Sequence, residues 1–186
     1  DKKNKVVVKP EDRDYVYKER YLSLRSLYMD EIDMEETAPW DRFLEKAQQL
    51  RVLSLSYCDL GVPAAELLGK GLELNTSVED INLSMNVLGE HGARRLARGL
   101  LHNTTITAFD ISGNNLFARG CKHVGSVLES PNCRLKKLNM FGNSMGTEGA
   151  GPFAASLAKN TSLIELDLGQ NRLRDKGLLH FVPVVR

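Results

Sequence analysis

The sequence has little of what several classes of protein require. Its three cysteines, Cys58, Cys121 and Cys133, are odd in number and scattered, which predicts neither a disulfide framework nor a zinc quartet. They fit a reducing compartment better, so we expect a cytoplasmic protein. No run approaches the roughly 18 apolar residues of a membrane-spanning helix, and the expectation is no membrane association.

A strong charge of one sign is also lacking. The 25 basic and 24 acidic residues give a formal net charge of +1, which argues against nucleic acid as a partner. The chain begins with Asp1, without the apolar core of a signal peptide, and ends in an apolar stretch. We expect it to be a piece of a longer protein.

What the sequence has is a repeat. A twelve-residue segment recurs in five clear copies at intervals of 28 or 29 residues, which begin at Leu50, Val78, Ile106, Leu135 and Leu163. A fainter copy begins at Leu22. Its fourth position holds Arg25, where the other copies are apolar, and its ninth holds Asp30. Self-similarity at such a period predicts stacked structural units.

Each copy has apolar residues at its first, fourth, sixth and eleventh positions. In the second clear copy these are Val78, Ile81, Leu83 and Leu88. The alternation at the fourth and sixth positions predicts a short strand whose buried side chains stack on those of the next copy, in parallel. Apolar residues at helical spacing follow, and they predict a helix in the second half of each unit.

Asparagines recur at two places. The ninth position predicts a structural ladder, in which amides pair with backbone groups at the turn; it contains Cys58, Asn86, Asn114, Asn143 and Asn171. The helices end at Asn75, Asn103 and Asn160, where we expect left-handed backbone. These three also begin glycosylation triplets, but their shared position favours the turn interpretation.

The pattern L-x-x-L-x-L-x-x-N-x-L, followed by a Gly-Ala helix as in "NVLGEHGARRLARGLLHNTT", resembles the leucine-rich repeat of the ribonuclease-inhibitor-like class. The resemblance implies an α/β solenoid, a curved horseshoe segment with parallel strands on the concave face and helices on the convex face. Known members include ribonuclease inhibitor, the Ran GTPase activator, sensor regions of NOD-like receptors, tropomodulin and CARMIL actin regulators, and ciliary proteins, so the resemblance leaves a cytoskeletal or ciliary setting open.

The repeat divides the chain into two regions. Residues 1–21 are a flanking segment, in which Val6 to Val8 could form a strand of unknown position. Residues 22–186 form about six repeats, expected to continue beyond the C-terminus, with the divisions 22–49, 50–77, 78–105, 106–134, 135–162 and 163–186. Trp40, Phe43 and Leu44 are expected to cover the end of the core.

The third, fifth, seventh and eighth positions are predicted to project from the concave face. Large side chains there would be anchors for a partner and aspartates would select its charge. The predicted partner-binding residues are Tyr28, Tyr57, Asp80, Asn82, Met85, Asp110, Lys137, Asn139, Phe141 and Asp167. The alternative is that they are only solvated strand residues. Either way, replacing Asp110 by alanine is expected to leave stability unchanged.

Catalysis, metals and cofactors have little support. Asp110 and Asp167 would lie two strands apart, about 10 Å, on an open surface with nothing to raise a pKa. The histidines have no common ligand spacing, and no glycine loop for phosphate is present. We therefore predict no catalytic or metal-binding residues, no cofactor and no small-molecule substrate.

A basic cluster is predicted on the outer helix face. It consists of Arg94, Arg95, Arg98, Arg119, Lys122 and His123. Such a cluster could bind acidic partners, but an ordinary solvated helix face is the favoured interpretation.

The sequence thus predicts a non-enzymatic module or scaffold that binds another protein through the concave strand face. Two alternatives remain open. One is an accessory or activator of a small GTPase, as the resemblance to the Ran GTPase activator implies. The other is the sensor region of a NOD-like receptor.

Overall fold

The computed structural model describes residues 5–7, 25–30 and 39–184. Over these ranges short strands alternate with helices. The strands are β1 Lys5–Val7, β2 Ser26–Tyr28, β3 Val52–Ser54, β4 Asp80–Asn82, β5 Ala108–Asp110, β6 Lys137–Asn139 and β7 Glu165–Asp167. The helices are α1 Trp40–Lys46, α2 Val62–Leu74, α3 Gly89–Leu100, α4 Phe117–Leu128, α5 Gly146–Lys159 and α6 Arg174–Leu178.

The strands form one parallel sheet in chain order, from β1 to β7. From β3 onwards, residues at the same repeat position lie side by side: Leu53 pairs with Ile81, Ile81 with Phe109, Phe109 with Leu138, and Leu138 with Leu166. Successive helices pack against one another in the same order. The predicted solenoid of parallel strands and helices is confirmed.

The fourth and sixth positions supply the core beneath the sheet. Leu53 and Ile81, at the fourth position, and Leu55 and Leu83, at the sixth, are fully buried. Burying one such side chain stabilises the fold by roughly 1.5–3 kcal/mol. Three-residue strands are too short to shield this face alone, so each repeat depends on its neighbours.

The helices pack closely because glycines lie at their contacts. A Cβ atom on Gly99 of α3 would overlap the carbonyl oxygen of Gly69 in α2. Arg94 and Arg98 lie on the opposite, exposed side of α3. The glycines of the helices therefore set helix spacing, and the polar residues are left on the outer surface.

The first copy differs from its predicted register by two residues. Leu27, and not Arg25, pairs with Leu53 at the fourth position, and Leu27 is buried while Arg25 is exposed. A shift of two residues preserves the alternation of a strand and keeps an arginine out of the core. Tyr28 consequently occupies the fifth position, and Asp30 the seventh instead of the ninth.

The flanking segment 1–21 contributes a strand to the sheet. The stretch from Val6 to Val8 had no predicted position, and the strand β1 runs from Lys5 to Val7 and pairs in parallel with β2. The segment is therefore not wholly separate from the repeats. Trp40 and Leu44 of α1 are fully buried, and Phe43 contacts Trp40 edge to face with 6.0 Å between ring centroids.

The core is less covered at the last repeat. Leu166 and Leu168 are only partly buried, and Ile164 is 76% exposed. These residues border an apolar groove of about 630 Å³ between β7 and the segment that follows α6. The contrast with the buried fourth and sixth positions of earlier repeats shows how much each repeat depends on the next.

We predict that Leu138→Ala lowers the free energy of unfolding by about 2–5 kcal/mol, because a buried fourth-position side chain leaves a cavity. Urea denaturation would measure the change. The matched control is Ile164→Ala in the next repeat, whose side chain is 76% exposed and whose loss should change stability little. Equal losses in the two variants would contradict the assigned register.

Candidate functional site

The candidate site is the sheet surface that faces away from the helices, here called the strand face. It consists of Phe141 and the third-, fifth- and eighth-position residues of the repeats that contain β3 to β7. Across β4 to β7 it forms a shallow depression of about 360 Å³ that is open to solvent. Alternation along each strand places these side chains opposite the core.

The fifth position ties the end of each strand into the turn. In four successive repeats its side-chain oxygen accepts a hydrogen bond from the backbone N–H two residues later. The pairs are Asn82 with Ser84, Asp110 with Ser112, Asn139 with Phe141 and Asp167 with Gly169, at 2.7–3.0 Å. This is an Asx turn. Strand alternation had predicted only that these residues project from the sheet.

Asp110 has the most hydrogen bonds of this group. Its carboxylate also accepts from the Ser112 hydroxyl at 2.7 Å and from Nδ2 of Asn139 on the next strand at 2.8 Å. The structure therefore argues against the expectation that Asp110→Ala leaves stability unchanged, because the substitution removes three hydrogen bonds. Asn139 lies between Asp110 and Asp167, as the repeat spacing indicated.

The third position carries exposed charges. Lys137 on β6 forms an ion pair with Glu165 on β7, with 2.9 Å between Nζ and Oε1. The Asp80 carboxylate on β4 has no hydrogen bond or ion pair with any described residue. Partial desolvation on the sheet surface raises the pKa of this carboxyl, the nearby Asp110 carboxylate raises it further, and Lys137 partly offsets both effects.

The eighth position is left-handed in every clear copy. Tyr57, Met85 and Gln170 have φ of 56°, 55° and 51°, and Gly113 and Gly142 fill the position in the other two copies. Such backbone is disfavoured for most residues. Tyr57 and Met85 are 58% and 41% exposed, so these two turns present large side chains to the solvent.

Glycines make room for the neighbouring large side chains. A Cβ atom on Gly113 would overlap the Met85 sulfur, and one on Gly169 would lie 2.7 Å from the Phe141 ring. Met85 and Phe141 therefore lean across the next repeat. The result is apolar surface at the turns that follow β4 and β6.

The other predicted positions differ in their exposure. Tyr28, at the fifth position of the first copy, is half-buried. At the seventh position Ser56, Ser84 and Ser112 are buried, and Ser56 and Ser84 share a hydrogen bond of 2.8 Å between their hydroxyls. The prediction that the seventh position projects is wrong for these serines, because the chain turns back toward the core there.

The ninth-position asparagines link successive turns. Nδ2 of Asn86 donates to the carbonyl of Leu55 in the preceding repeat and to that of Leu83 in its own, and its Oδ1 accepts from the backbone N–H of Leu60. Asn114, Asn143 and Asn171 repeat the donation to both repeats. All four are buried.

Cys58 takes the same position in the first clear copy. Its thiol donates to the Met29 carbonyl, with 2.8 Å between sulfur and oxygen, and its backbone N–H donates to Oδ1 of Asn86. The sulfur also lies 3.3 Å from the Ser56 carbonyl oxygen in its own turn, so the thiol contacts carbonyls of both repeats as an asparagine Nδ2 does. It lacks the amide oxygen with which Asn86 accepts from backbone N–H groups.

A second ladder lies at the helix ends. Nδ2 of Asn75, Asn103 and Asn160 donates to a carbonyl of the preceding repeat at 2.7–2.9 Å. The expected left-handed backbone is wrong: Asn75 and Asn160 are extended, with ψ of 129° and 135°. The side-chain oxygens instead accept from the turn that follows, which closes it without a positive φ.

The described residues provide little for other chemistry. They contain no cluster of three histidine, cysteine or acidic side chains able to hold a metal ion. Burial raises the pKa of the Cys121 thiol to about 12, so it is not a nucleophile near neutral pH. A search of the described helices found none with the length and apolarity to span a bilayer.

Comparison with known proteins assigns the repeat. A family model described as "Leucine Rich repeat" matches residues 102–122, 132–154 and 159–181, and each match covers one strand and at least the start of the helix that follows it. The chain is a leucine-rich repeat protein.

Curated relatives of this leucine-rich repeat chain are much longer proteins. Human NACHT, LRR and PYD domains-containing protein 13 is 29% identical over 129 residues, 69% of this chain. Mouse protein NLRC3 is 47% identical over 45 residues, or 24% of this chain. The chain spans 10% of the length of the first and 4% of the second.

Solved structures show the same fold at low sequence identity. The tropomodulin C-terminal domain of Caenorhabditis elegans has a TM-score of 0.57 and 19% identity, covering 74% of this chain and 84% of that one. Leiomodin-1 actin-binding site 2 has a TM-score of 0.55 and 20% identity, covering 77% and 69%. These likenesses establish the fold.

We predict that Asn103→Ala destabilises the protein, because it leaves the buried carbonyls of Leu72 and Asn75 and two backbone N–H groups without their partner. Each unpaired buried group costs about 1–3 kcal/mol. Thermal unfolding measures the loss. Thr104→Ala, at the exposed neighbouring residue, is the control, and a similar change in both variants would rule out the second ladder.

A further prediction concerns pH. Because the folded state raises the pKa of Asp80 above its ordinary 3.8, ionisation of this carboxyl destabilises the fold as pH rises. Asp80→Asn should therefore be more stable than the parent chain at pH 7, and the difference should vanish below about pH 3.8. Melting temperatures from pH 3 to 8 would test this.

A second comparison introduces Asp80→Asn into a chain that already carries Lys137→Met. Lys137 lowers the pKa that burial and Asp110 raise, so its loss should widen the stability gain from Asp80→Asn at pH 7. A destabilising Asp80→Asn substitution at that pH would mean that the carboxylate makes a favourable interaction in the folded state.

Proposed function

We propose that the chain is a non-enzymatic protein-interaction module that binds a partner protein through the strand face. The observation that supports this most is the exposure of Tyr57 and Met85, 58% and 41%, on left-handed turns of the same face that carries the third-position charges. Large side chains in fixed positions supply most of the energy of protein interfaces. The open depression also favours a macromolecular partner over an enclosed small molecule.

The proposal divides the predicted residues by role. Tyr57, Met85 and Phe141 are the apolar anchors, and the charges of Asp80 and Lys137 select the partner and orient it. The fifth-position residues Asn82, Asp110, Asn139 and Asp167 hold the turns in place, and their unused oxygen and nitrogen atoms face the partner. Tyr28 extends the surface to β2.

The test uses a partner captured by the full-length protein and then purified. Its affinity is measured for a Tyr57→Gly/Asp80→Asn/Lys137→Ala variant, in which glycine suits the positive φ. We expect a loss of at least about tenfold. The control variant Lys46→Ala/Glu73→Ala/Lys176→Ala changes exposed helix residues and should bind normally. Unchanged affinity in the strand-face variant would refute the proposal.

A second candidate is the sensor region of a NOD-like receptor, which the curated relatives favour. If so, the parent protein should contain a nucleotide-binding NACHT domain, and its complete transcript would show this. The other alternative is an accessory of a small GTPase. It predicts that a small GTPase hydrolyses GTP faster when this chain is added to it.

The proposal also includes the class of the repeat and the cellular location of the protein. We infer a ribonuclease-inhibitor-like repeat, supported by the 28-residue period and helices of 12–14 residues, and a cytoplasmic, cytoskeleton-associated location. The similar leiomodin-1 domain is an actin-binding site, so co-sedimentation of this chain with actin filaments is the direct test of that association.

A further inference from the structure

The outer surface of α3 and α4 carries a concentration of positive charge that the proposed strand-face function does not use. Arg94 and Arg98 lie one turn apart on α3, His123 of α4 lines the same depression, and Lys122 is the residue before His123 on α4. We call these four residues the basic helix face. The whole chain has a net charge of only +1, so this charge is a local feature.

Three of these cations have no partner within the described part of the chain. Arg94, Arg98 and Lys122 are exposed, and their side chains form no hydrogen bond or direct ion pair with any described residue. Two neighbouring arginines differ, because Arg95 pairs with Glu66 at 3.4 Å and Arg119 with Glu90 at 3.7 Å. Glu66 and Glu90 therefore pair directly with Arg95 and Arg119, and Glu66 also attracts Arg98 from beyond ion-pair distance. Arg94, Arg98 and Lys122 are left without a direct ion pair among the described residues.

Two of these three cations, Arg94 and Arg98, border a depression, and Lys122 is not among the residues that line it. It measures about 250 Å³ and lies between the second halves of α3 and α4, with Arg94, Arg98 and His123 around it and Ala97 and Leu101 among its lining residues. Burial lowers the pKa of His123, and the nearby Arg94 lowers it further. Both observations describe a concave site with positive potential and some apolar surface.

We propose that the basic helix face docks a short acidic segment of a partner protein, whose Asp or Glu carboxylates bind Arg94, Arg98 and Lys122. Arginine guanidinium groups form paired hydrogen bonds with carboxylates. An aliphatic side chain next to those carboxylates would rest on Ala97 and Leu101. The strand face and the basic helix face lie on opposite sides of the solenoid, so the two sites can be occupied together.

The flanking helices favour a short peptide over nucleic acid. Glu66 on α2 pairs with Lys70 and Arg95, and Glu129 at the end of α4 pairs with Lys159, so the cations on either side of the basic helix face are already engaged. A nucleic acid backbone carries a charge every few ångströms and would need a longer run of unpaired cations than Arg94, Arg98 and Lys122 provide. Arg94, Ala97, Arg98, Leu101, His123 and Ser126, which line the depression, also include no aromatic ring for base stacking.

The experiment measures binding of a fluorescent hexaglutamate peptide by anisotropy. We expect the Arg94→Glu/Arg98→Glu/Lys122→Glu variant to bind at least about tenfold more weakly than the parent protein, through the loss of three ion pairs. The matched control is Arg42→Glu/Arg172→Glu/Lys176→Glu, which reverses three exposed cations elsewhere and has the same net charge. It should retain most of the affinity.

Two further readouts make the result specific. The His123 ring signals in NMR spectra should shift when the peptide is added, and those of His102, outside the depression, should not. Equal weakening by both triple variants, or no binding to the parent protein, would overturn the proposal. If a 12-nucleotide single-stranded RNA bound more tightly than hexaglutamate, and the Arg94→Glu/Arg98→Glu/Lys122→Glu variant lost this binding, the proposal of an acidic protein segment would be wrong. The ligand would then be a nucleic acid.

Discussion

The hydrogen bonds of buried asparagine side chains hold the repeats in register, and the rest of the structure depends on them. A strand of three residues has few backbone hydrogen bonds, and the turns on either side leave polar groups buried without partners. One amide group can donate to two turns and accept from a third group, as Asn86 does. Because an unpaired buried group is costly, the asparagine position fixes each repeat against the one before it.

This register determines where the functional surfaces lie. With the fourth and sixth positions in the core, the third and eighth positions of the repeats that contain β3 to β7 face outward at the spacing of parallel strands. Tyr57 and Met85 are thus presented from adjacent turns, and Asp80 and Lys137 from strands two apart. The same register places Arg94 of α3 near His123 of α4 on the opposite surface.

The two surfaces differ in how they depend on the fold. On the strand face, several polar side chains serve both the turn and the surface: Asp110 accepts three hydrogen bonds from the protein and still lines the depression. On the basic helix face, Arg94, Arg98 and Lys122 make no such bonds with the described residues. Variation of those cations is therefore compatible with an unchanged fold, and they are well suited to specify a partner.

The sequence alone determined the period, the parallel stacking, the core positions and the ninth-position asparagines, because each is a local pattern repeated at constant spacing. It did not determine the register of the first copy, where Arg25 and Leu27 compete for one position and only pairing with Leu53 decides between them. It also did not show that the Asn75 turn is extended, that Ser84 is buried, or that Asp110 is held by Asn139 from the next strand. Each of these depends on groups about 28 residues away in sequence and in contact in space. The tertiary structure decided them because burial and hydrogen bonding between repeats, and not local preference, set the lowest free energy there.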